Sequence, residues 1–200
     1  MPSPNWDKIY QNGREYPLVN EVWLNRILGH IETADKFPET ALDIGCGTGD
    51  FVVKLAQRNI HTTGLDLSAV ALDKAKKRAN DNEVSDKVEF IKANIEEIDQ
   101  EELPSQVDLA VSKLAYAFIE DKKSFLQKIK GLLCEGGWFI ISTPVLVSGD
   151  EIKYSQRMKG ISVPFTEANE LLSSAFSNLN IFHKNYFEET GLEVTYILQK

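Results

Sequence analysis

Residues 41–51 read ALDIGCGTGDF, and their pattern is the strongest indication of the fold in this sequence. Apolar residues lead into a glycine-rich loop and then into a helix-forming segment, which predicts a strand, a turn and a helix start. Glycine tolerates positive φ and lets the backbone approach a ligand that a side chain would hold off. The loop therefore predicts a site for a nucleotide-like ligand at Gly45, Gly47 and Gly49.

Two acids distinguish this loop from a dinucleotide-binding fingerprint. Asp50 stands where that fingerprint has its third glycine, and Asp43 precedes the loop. A pyrophosphate binds well at a helix N-terminus because the dipole and the free N–H groups favour negative charge there. Carboxylates on both sides weaken that attraction and suit a ligand with an ammonium or sulfonium centre.

A third acid supports a nucleotide site. Residues 60–67 read IHTTGLDL and predict the next strand, which ends at Asp66. An acid in this place can accept hydrogen bonds from two ribose hydroxyls. The alternative is a solvated aspartate that caps a helix beginning near Ser68. Its spacing from the glycine loop favours the ribose interpretation.

These motifs resemble those of the class I S-adenosylmethionine-dependent methyltransferases, particularly the small single-domain members. The resemblance covers residues 37–143 and is carried by LDIGCGTG at 42–49, GLDLS at 64–68 and VEFIKANI at 88–95. It implies that Asp66 contacts the cofactor ribose and Leu67 the adenine face. The loop residues that it implies on the methionine half of the cofactor are Asp43, Gly45, Cys46, Gly47 and Gly49.

The third motif departs from the family at one position. The family usually has aspartate where this chain has Asn94. An asparagine carbonyl can still accept from the adenine amino group, while the Ile95 N–H donates to the ring nitrogen. The alternative is that Asn94 is a turn residue that ends a strand.

Composition is consistent with one globular domain. The chain has 200 residues, is 42% hydrophobic, and carries a net charge of -8. We expect one methyltransferase domain over residues 1–200, with an N-terminal cap and helix (1–32), a cofactor-binding core (37–143) and a substrate-cover segment with helix and hairpin (144–200). The acidic balance argues against a nucleic-acid surface, and the lysine-rich residues 74–78 fit a solvated helix face.

Neither membrane insertion nor metal chemistry is indicated. The sequence has no long apolar run and no signal peptide, so a cytoplasmic protein without membrane contact is expected. Cys46 and Cys134 lack metal-ligand spacing, and His30, His61 and His183 lie far from Cys46 in sequence. We therefore expect neither a catalytic cysteine nor a metal.

Alternating predicted strands and helices up to residue 142 indicate an α/β protein with a parallel sheet covered on both faces. The resemblance implies a Rossmann-like, doubly wound sheet of seven strands, mostly parallel with a C-terminal antiparallel hairpin. The predicted helices are 18–31, 50–57, 68–80, 122–133 and 166–176, and the later strands are 107–112, 138–142, 180–188 and 192–198. We expect Gly136-Gly137 to close the fourth helix, Thr166 to cap the fifth, and residues 189–191 to form the hairpin turn.

The end of the fourth strand should face the methyl group. Ser112, Lys113 and Tyr116 offer polar side chains there, which suits a small acceptor, and the Asn/Asp-Pro-Pro-Tyr/Phe tetrapeptide of amide and DNA methyltransferases is absent. The alternatives are a strand-end hydroxyl, a solvated lysine and a packed ring. No catalytic residue or general base can be read from the sequence.

The N-terminal segment is rich in aromatic residues and resembles the entry segment of small-molecule methyltransferases. Tyr10 and Tyr16 could wall a sulfonium, whose charge favours aromatic faces, with Tyr16 also on the acceptor side. Arg14 could meet the cofactor carboxylate. The alternative is an N-terminal arm that simply packs on the domain.

The resulting hypothesis is methyl transfer from S-adenosylmethionine to an O, N or S atom of a small molecule, with S-adenosylhomocysteine as product. A protein or RNA acceptor is the alternative within the enzymes, and a non-catalytic cofactor-binding module is the alternative outside them. A nicotinamide oxidoreductase is disfavoured by Asp50. The sequence indicates neither the acceptor nor the oligomeric state.

Overall fold

The computed structural model describes residues 4–14, 16, 18–32, 37–147, 156–187 and 191–200. Its centre is one eight-stranded sheet. In chain order the strands are β1 (Thr40–Ile44), β2 (His61–Asp66), β3 (Val88–Lys92), β4 (Val107–Lys113), β5 (Leu133–Leu146), β6 (Val163–Pro164), β7 (Asn178–Phe187) and β8 (Gly191–Gln199).

The strand order is β3-β2-β1-β4-β5-β8-β7, and the short β6 pairs separately with β5. Pairings among β1 to β6 are parallel, whereas β8 runs antiparallel to both β5 and β7. The mostly parallel α/β sheet with a C-terminal antiparallel hairpin is thereby confirmed, with β6 added. The order reverses between β1 and β4, which is where such sheets bind ligands.

Helices cover both faces of the sheet. They are α1 (Trp6–Gln11), α2 (Glu21–Glu32), α3 (Asp50–Ala56), α4 (Ala69–Asp81), α5 (Lys122–Leu132), α6 (Gln156–Ile161) and α7 (Phe165–Ala175). Successive side chains of β4 enter opposite cores, as the two-residue period of a strand requires. Leu109 and Val111 pack with Ile27 of α2, while Ala110 packs with Phe125 of α5. No helix within the described residues is both long and apolar enough to cross a membrane.

The glycine pair at 136–137 does not close a helix, so that prediction is wrong. Helix α5 ends at Leu132, and the chain continues directly into β5. Residues 134–137 of β5 stand opposite Asp108 of β4, which makes a bulge. Gly136 has φ +74, and a Cβ on Gly137 would lie 2.9 Å from the Cys134 carbonyl oxygen. The glycines therefore permit the bulge, which a local helix-stop pattern cannot reveal.

Two other helices begin at residues different from the predicted ones, for local reasons. Helix α2 begins at Glu21 because the Asn20 side chain accepts from the Trp23 N–H at 3.0 Å. Helix α7 begins at Phe165 without a side-chain cap, so Thr166 is not its cap. Residues 189 and 190 of the predicted hairpin turn lie outside the described residues.

Gly49 sets the junction between the glycine loop and α3. It has φ +75, and a Cβ built on it would lie 2.7 Å from the Ala75 Cβ of α4. Both the left-handed backbone and the close approach of α4 require glycine here. The glycine thus lets two helices flank one loop.

The substitution Gly49→Ala should lower the free energy of unfolding by about 1–3 kcal/mol from backbone strain, with further loss from the Ala75 overlap. Urea unfolding followed by circular dichroism measures this change. Gly29→Ala is the matched control: Gly29 lies within α2 and a Cβ there meets nothing within 4 Å. That control should raise stability by about 1 kcal/mol. Equal effects of the two substitutions would contradict the assigned role of Gly49.

Candidate active site

A cavity of about 450 Å³ opens at the C-terminal ends of β1, β2 and β4. Its volume lies within the usual range for small-molecule sites. The lining comprises Trp6, Tyr10, Tyr16, Leu18, Val19, residues 43–48, Asp50, Phe51, and residues 65–67, 93–97, 113–115 and 118–121. Four sequence-distant segments therefore meet around the glycine loop.

The glycine loop packs closely against its own chain. The N–H groups of Gly45 and Cys46 both donate to the Leu65 carbonyl, at 2.7 and 3.0 Å. A Cβ on Gly45 would lie 2.5 Å from the Ala115 Cβ, and one on Gly47 would lie 2.7 Å from the Tyr10 hydroxyl. The glycines are thus required by protein neighbours on this loop. Gly49 contacts α4 and does not line the cavity.

Asp66 joins the loop to the end of β2. Asp66 is 7% exposed, and its carboxylate accepts from the Gly47 N–H and the Ser68 N–H, each at 2.8 Å. Burial raises the pKa of Asp66, and the two backbone donors oppose that shift. Ser68, not Asp66, caps α4, since its hydroxyl accepts from the Ala71 N–H. The alternative of a solvated, helix-capping Asp66 is therefore wrong.

Asp43 lies in the cavity wall and is 2% exposed. Burial raises its pKa to about 7, Lys113 opposes that shift, and the negative charges of Asp66 and Asp50 add to it. Asp43 therefore exchanges a proton near neutral pH. A cation placed beside it would favour the ionised carboxylate.

Asp50 has a different environment from the one the sequence suggests. One carboxylate oxygen accepts from the Val19 N–H at 2.6 Å, and the other lies 3.3 Å from the Arg78 guanidinium. Its charge is therefore compensated within the protein. Asp50 fastens the segment before α2 to the glycine loop.

The adenine-edge motif forms a turn as well as a cavity wall. The Asn94 carbonyl oxygen accepts from the Glu96 N–H, and the Asn94 amide donates to the Glu97 carboxylate, both at 3.0 Å. The carbonyl oxygen keeps a second acceptor site. Ile95 is buried, whereas Leu67 is 42% exposed and lines the cavity.

Helix α1 is fastened over the cavity from two sides. The Ser68 hydroxyl donates to the Asp7 carboxylate at 2.6 Å, and the Lys74 ammonium donates to the Tyr10 carbonyl at 2.8 Å. Trp6 meets Phe118 edge to face, with ring centroids 5.0 Å apart. The segment packs as an arm, and it also forms part of the cavity wall.

Some predicted residues do not reach the cavity. Arg14 is exposed, with its guanidinium 5.5 Å from the Tyr16 ring centre, and does not line the cavity. Ser112 and Tyr116 are fully buried and lie outside the lining, which corrects their predicted placement. The Tyr116 ring packs against Phe125 in the core, as the packed-ring alternative states. Lys113 does line the cavity.

Four acidic residues that were not predicted from the sequence also line the cavity. Glu96, Glu97, Glu120 and Asp121 line the cavity. Glu96 accepts from the backbone N–H groups of Glu120 and Asp121, at 3.0 and 2.8 Å, and so ties two loops together. The adjacent acid pairs at 96–97 and 120–121, each following a predicted strand and its loop, were the available signal.

Neither a reactive cysteine nor a metal cluster is found among the described residues. Cys46 is buried, and burial raises the pKa of its thiol well above the usual value, so a thiolate nucleophile is disfavoured. Within the described ranges, no group of three or more His, Cys, Asp or Glu side chains is arranged to hold a metal ion. Metal independence stays a prediction.

Comparison with known proteins adds the family. A family model described as methyltransferase domain matches residues 37–200. That range is more than half of the chain and includes the glycine loop, Asp66 and the adenine-edge motif.

Two relatives cover parts of this range. A tRNA 5-carboxymethoxyuridine methyltransferase of Escherichia coli strain K12 is 33% identical over 96 residues, which are 48% of this chain and 36% of that protein. A ubiquinone biosynthesis O-methyltransferase of Marinobacter nauticus is 30% identical over 126 residues, which are 62% of this chain and 51% of that protein. The chain thus spans about a third to a half of the length of these relatives.

A solved structure matches over more of the chain. The plantazolicin methyltransferase BpumL, in complex with a pentazolic desmethylPZN analog and SAH, has a TM-score of 0.70 and 18% identity. The match covers 96% of this chain and 90% of that chain. The two proteins share the fold.

The raised pKa of Asp43 predicts how stability depends on pH. Between its unfolded value near 4 and its folded value of about 7, the native state binds more protons than the unfolded state. The contribution of Asp43 to the free energy of unfolding is therefore complete at low pH and is lost as pH rises through about 7. Asp43→Asn should remove this loss, which amounts to a few kcal/mol.

Urea unfolding of the wild type and of Asp43→Asn at several pH values tests this expectation. The variant should gain stability relative to the wild type as pH rises. Asp73→Asn, an exposed position in α4, is the control and should leave the pH dependence unchanged. Parallel curves for the wild type and Asp43→Asn would show that Asp43 titrates normally.

Proposed function

The chain belongs to the methyltransferase domain family, and we propose that it transfers a methyl group from S-adenosylmethionine to an O, N or S atom of a small-molecule acceptor. One observation carries the proposal. The buried carboxylate of Asp66 lines the cavity directly beside the glycine loop, and this cavity lies at the sheet edge where the strand order reverses between β1 and β4.

The residues around the cavity fit this cofactor. Asp66 uses one acceptor site on each oxygen for a backbone N–H, so each oxygen can still accept from a ribose hydroxyl. Leu67 presents an exposed apolar side chain to the cavity, which suits one face of adenine. Asn94 and Ile95 would meet the adenine edge. Asp43 would face the cationic methionine half, with Gly45, Cys46 and Gly47 supplying the loop backbone.

When bound, S-adenosylmethionine supplies a methyl group already activated on a sulfonium centre. The protein then has to hold the acceptor in line with that group and keep water away. Tyr10 and Tyr16 line the cavity beside the glycine loop and can place ring faces against a positive charge. Arg14, which lies outside the lining, has no proposed part in the resting structure.

A small acceptor is favoured over RNA by the shape and charge of the site. Helix α1 and the Trp6–Phe118 contact close one side of the cavity. RNA binding needs clustered Lys and Arg on phosphates, whereas the whole chain has a net charge of -8. The tRNA-modifying relative keeps an RNA acceptor as the alternative. Turnover of labelled cofactor distinguishes either enzyme from a non-catalytic binding module.

The first test is calorimetric titration with S-adenosylmethionine and S-adenosylhomocysteine. Asp66→Ala should weaken binding by at least about tenfold because a charged acceptor is lost. Leu67→Ala should weaken binding by about three- to tenfold through the lost apolar contact. Unchanged affinity in both variants would remove these residues from the site.

Controls separate binding from folding. Ile181→Ala removes an equally exposed side chain, 40% exposed, that lies outside the cavity lining. Asp73→Ala removes an exposed carboxylate of α4. Both should bind like the wild type, and Leu67→Ala should unfold like the wild type because its side chain is on the surface.

The arm formed by α1 should contribute to cofactor affinity. Asp7→Ala removes the acceptor for the Ser68 hydroxyl and the Val70 N–H, beside Leu67 and Asp66. We expect a several-fold weaker affinity for S-adenosylhomocysteine and faster proteolysis near the N-terminus. Asp81→Ala, which removes an exposed helical ion pair with Lys77, is the control. Faster proteolysis with an unchanged affinity for S-adenosylhomocysteine would show that the arm does not contribute to cofactor binding.

A further inference from the structure

Three aromatic residues on the cavity wall have no place in the hydrophobic core. Trp6 and Phe118 meet edge to face at 5.0 Å, and Tyr16 lies 6.3 Å from Trp6. All three are half-buried and line the cavity. Among the described residues, neither Trp6 nor Phe118 belongs to a core cluster. We call Trp6, Tyr16 and Phe118 the aromatic wall.

An exposed leucine extends this wall. Leu18 lines the same cavity and is 60% exposed. Because ligand cavities are lined mostly by apolar and aromatic side chains, Leu18 is placed to contact an apolar part of a ligand. The Trp6 and Phe118 rings stand nearly perpendicular to each other, so the aromatic wall and Leu18 offer apolar ring faces and edges in the cavity lining.

The remaining lining is strongly acidic. Among the described lining residues, Lys113 is the only base. The acids are Asp43, Asp50, Asp66, Glu96, Glu97, Glu120 and Asp121.

Part of this negative charge is compensated within the protein. Arg78 lies beside Asp50, and backbone N–H groups donate to Glu96. The Asp121 carboxylate accepts from the Ser124 N–H and hydroxyl at the start of α5, and both Glu120 and Asp121 remain exposed. A carboxylate or phosphate on an acceptor would need Arg or Lys donors. Lys113 already interacts electrostatically with Asp43. The cavity therefore repels an anionic acceptor and has few groups that could bind its charge.

We propose that the acceptor is a planar aromatic small molecule that is neutral or cationic, and that Trp6 and Phe118 determine this specificity by packing on its ring. The inference rests on the proposed function, because it assigns the acceptor side of the same cavity. Ring packing of this kind contributes beyond simple area burial. The acidic lining excludes the anionic counterparts of the same acceptors.

The experiment measures binding of three matched phenols to the full chain saturated with S-adenosylhomocysteine. The probes are 4-methylphenol, 4-(2-aminoethyl)phenol and 4-hydroxyphenylacetate, which are neutral, cationic and anionic at neutral pH. Ligand-observed NMR titration gives each dissociation constant. The neutral and cationic probes should bind at least about tenfold more tightly than the anionic probe.

Two variants test the assigned residues. Phe118→Ala should weaken binding of the neutral and cationic probes by about two- to tenfold when the chain is saturated with S-adenosylhomocysteine. Because the same substitution removes the Trp6 contact of the α1 arm, S-adenosylhomocysteine affinity is measured in this variant first, so that saturation is reached. Glu120→Lys should reduce the difference in affinity between the cationic and anionic probes, because it replaces a negative charge of the lining by a positive one. Ile181→Ala and Glu101→Lys, whose side chains are exposed and lie outside the cavity lining, are the matched controls.

The outcomes separate the two proposals. Failure of the chain to bind S-adenosylhomocysteine in the first step would overturn the proposed function. Binding of S-adenosylhomocysteine with no binding of any phenol, or with equal binding of the anionic probe, would overturn the acceptor class alone. Equal probe affinities in Phe118→Ala and in Ile181→Ala would remove the aromatic wall from acceptor recognition.

Discussion

The carboxylate of Asp66 is the contact on which the site depends. It accepts from the Gly47 N–H of the glycine loop and from the Ser68 N–H at the start of α4. The Ser68 hydroxyl in turn donates to Asp7 of α1. A single buried acid therefore connects the loop after β1, the end of β2 and the N-terminal arm. Buried carboxylates are costly unless hydrogen bonded, and these backbone donors offset the cost.

Other acids in the cavity lining also hold backbone segments in place, which explains why the cavity is negatively charged. Asp50 holds the segment before α2 through the Val19 N–H, and Glu96 holds the loop that leads into α5. Each acid thereby fixes a backbone segment while it also contributes a negative field. Asp43 is 2% exposed, and its burial together with the neighbouring negative charges raises its pKa to about 7. The cavity suits a positively charged ligand because its walls are held together by carboxylates.

Much of the fold could be predicted because its signals are local. The glycine loop, the alternation of strands and helices, and the terminal hairpin all follow from residues near one another in sequence. Gly136-Gly137 shows the limit: a helix stop and a strand bulge place similar demands on glycine, and only the pairing with β4 distinguishes them. Ser112 near the end of β4 and Tyr116 in the 3₁₀ turn after it show this limit again, because the direction of each side chain depends on what packs around it.

Sequence patterns were enough to predict the family of the fold, the positive-φ loop and the acid at the end of the second strand, since these are set by backbone conformation and short spacing. Which acids and rings share one cavity, in contrast, depends on the folded arrangement of the chain. Glu96 meets Glu120, and Trp6 meets Phe118, across long stretches of chain. Such contacts arise when parallel strands bring their following loops to one edge of the sheet, and the spacing of residues along the chain does not encode which side chains will face one another there.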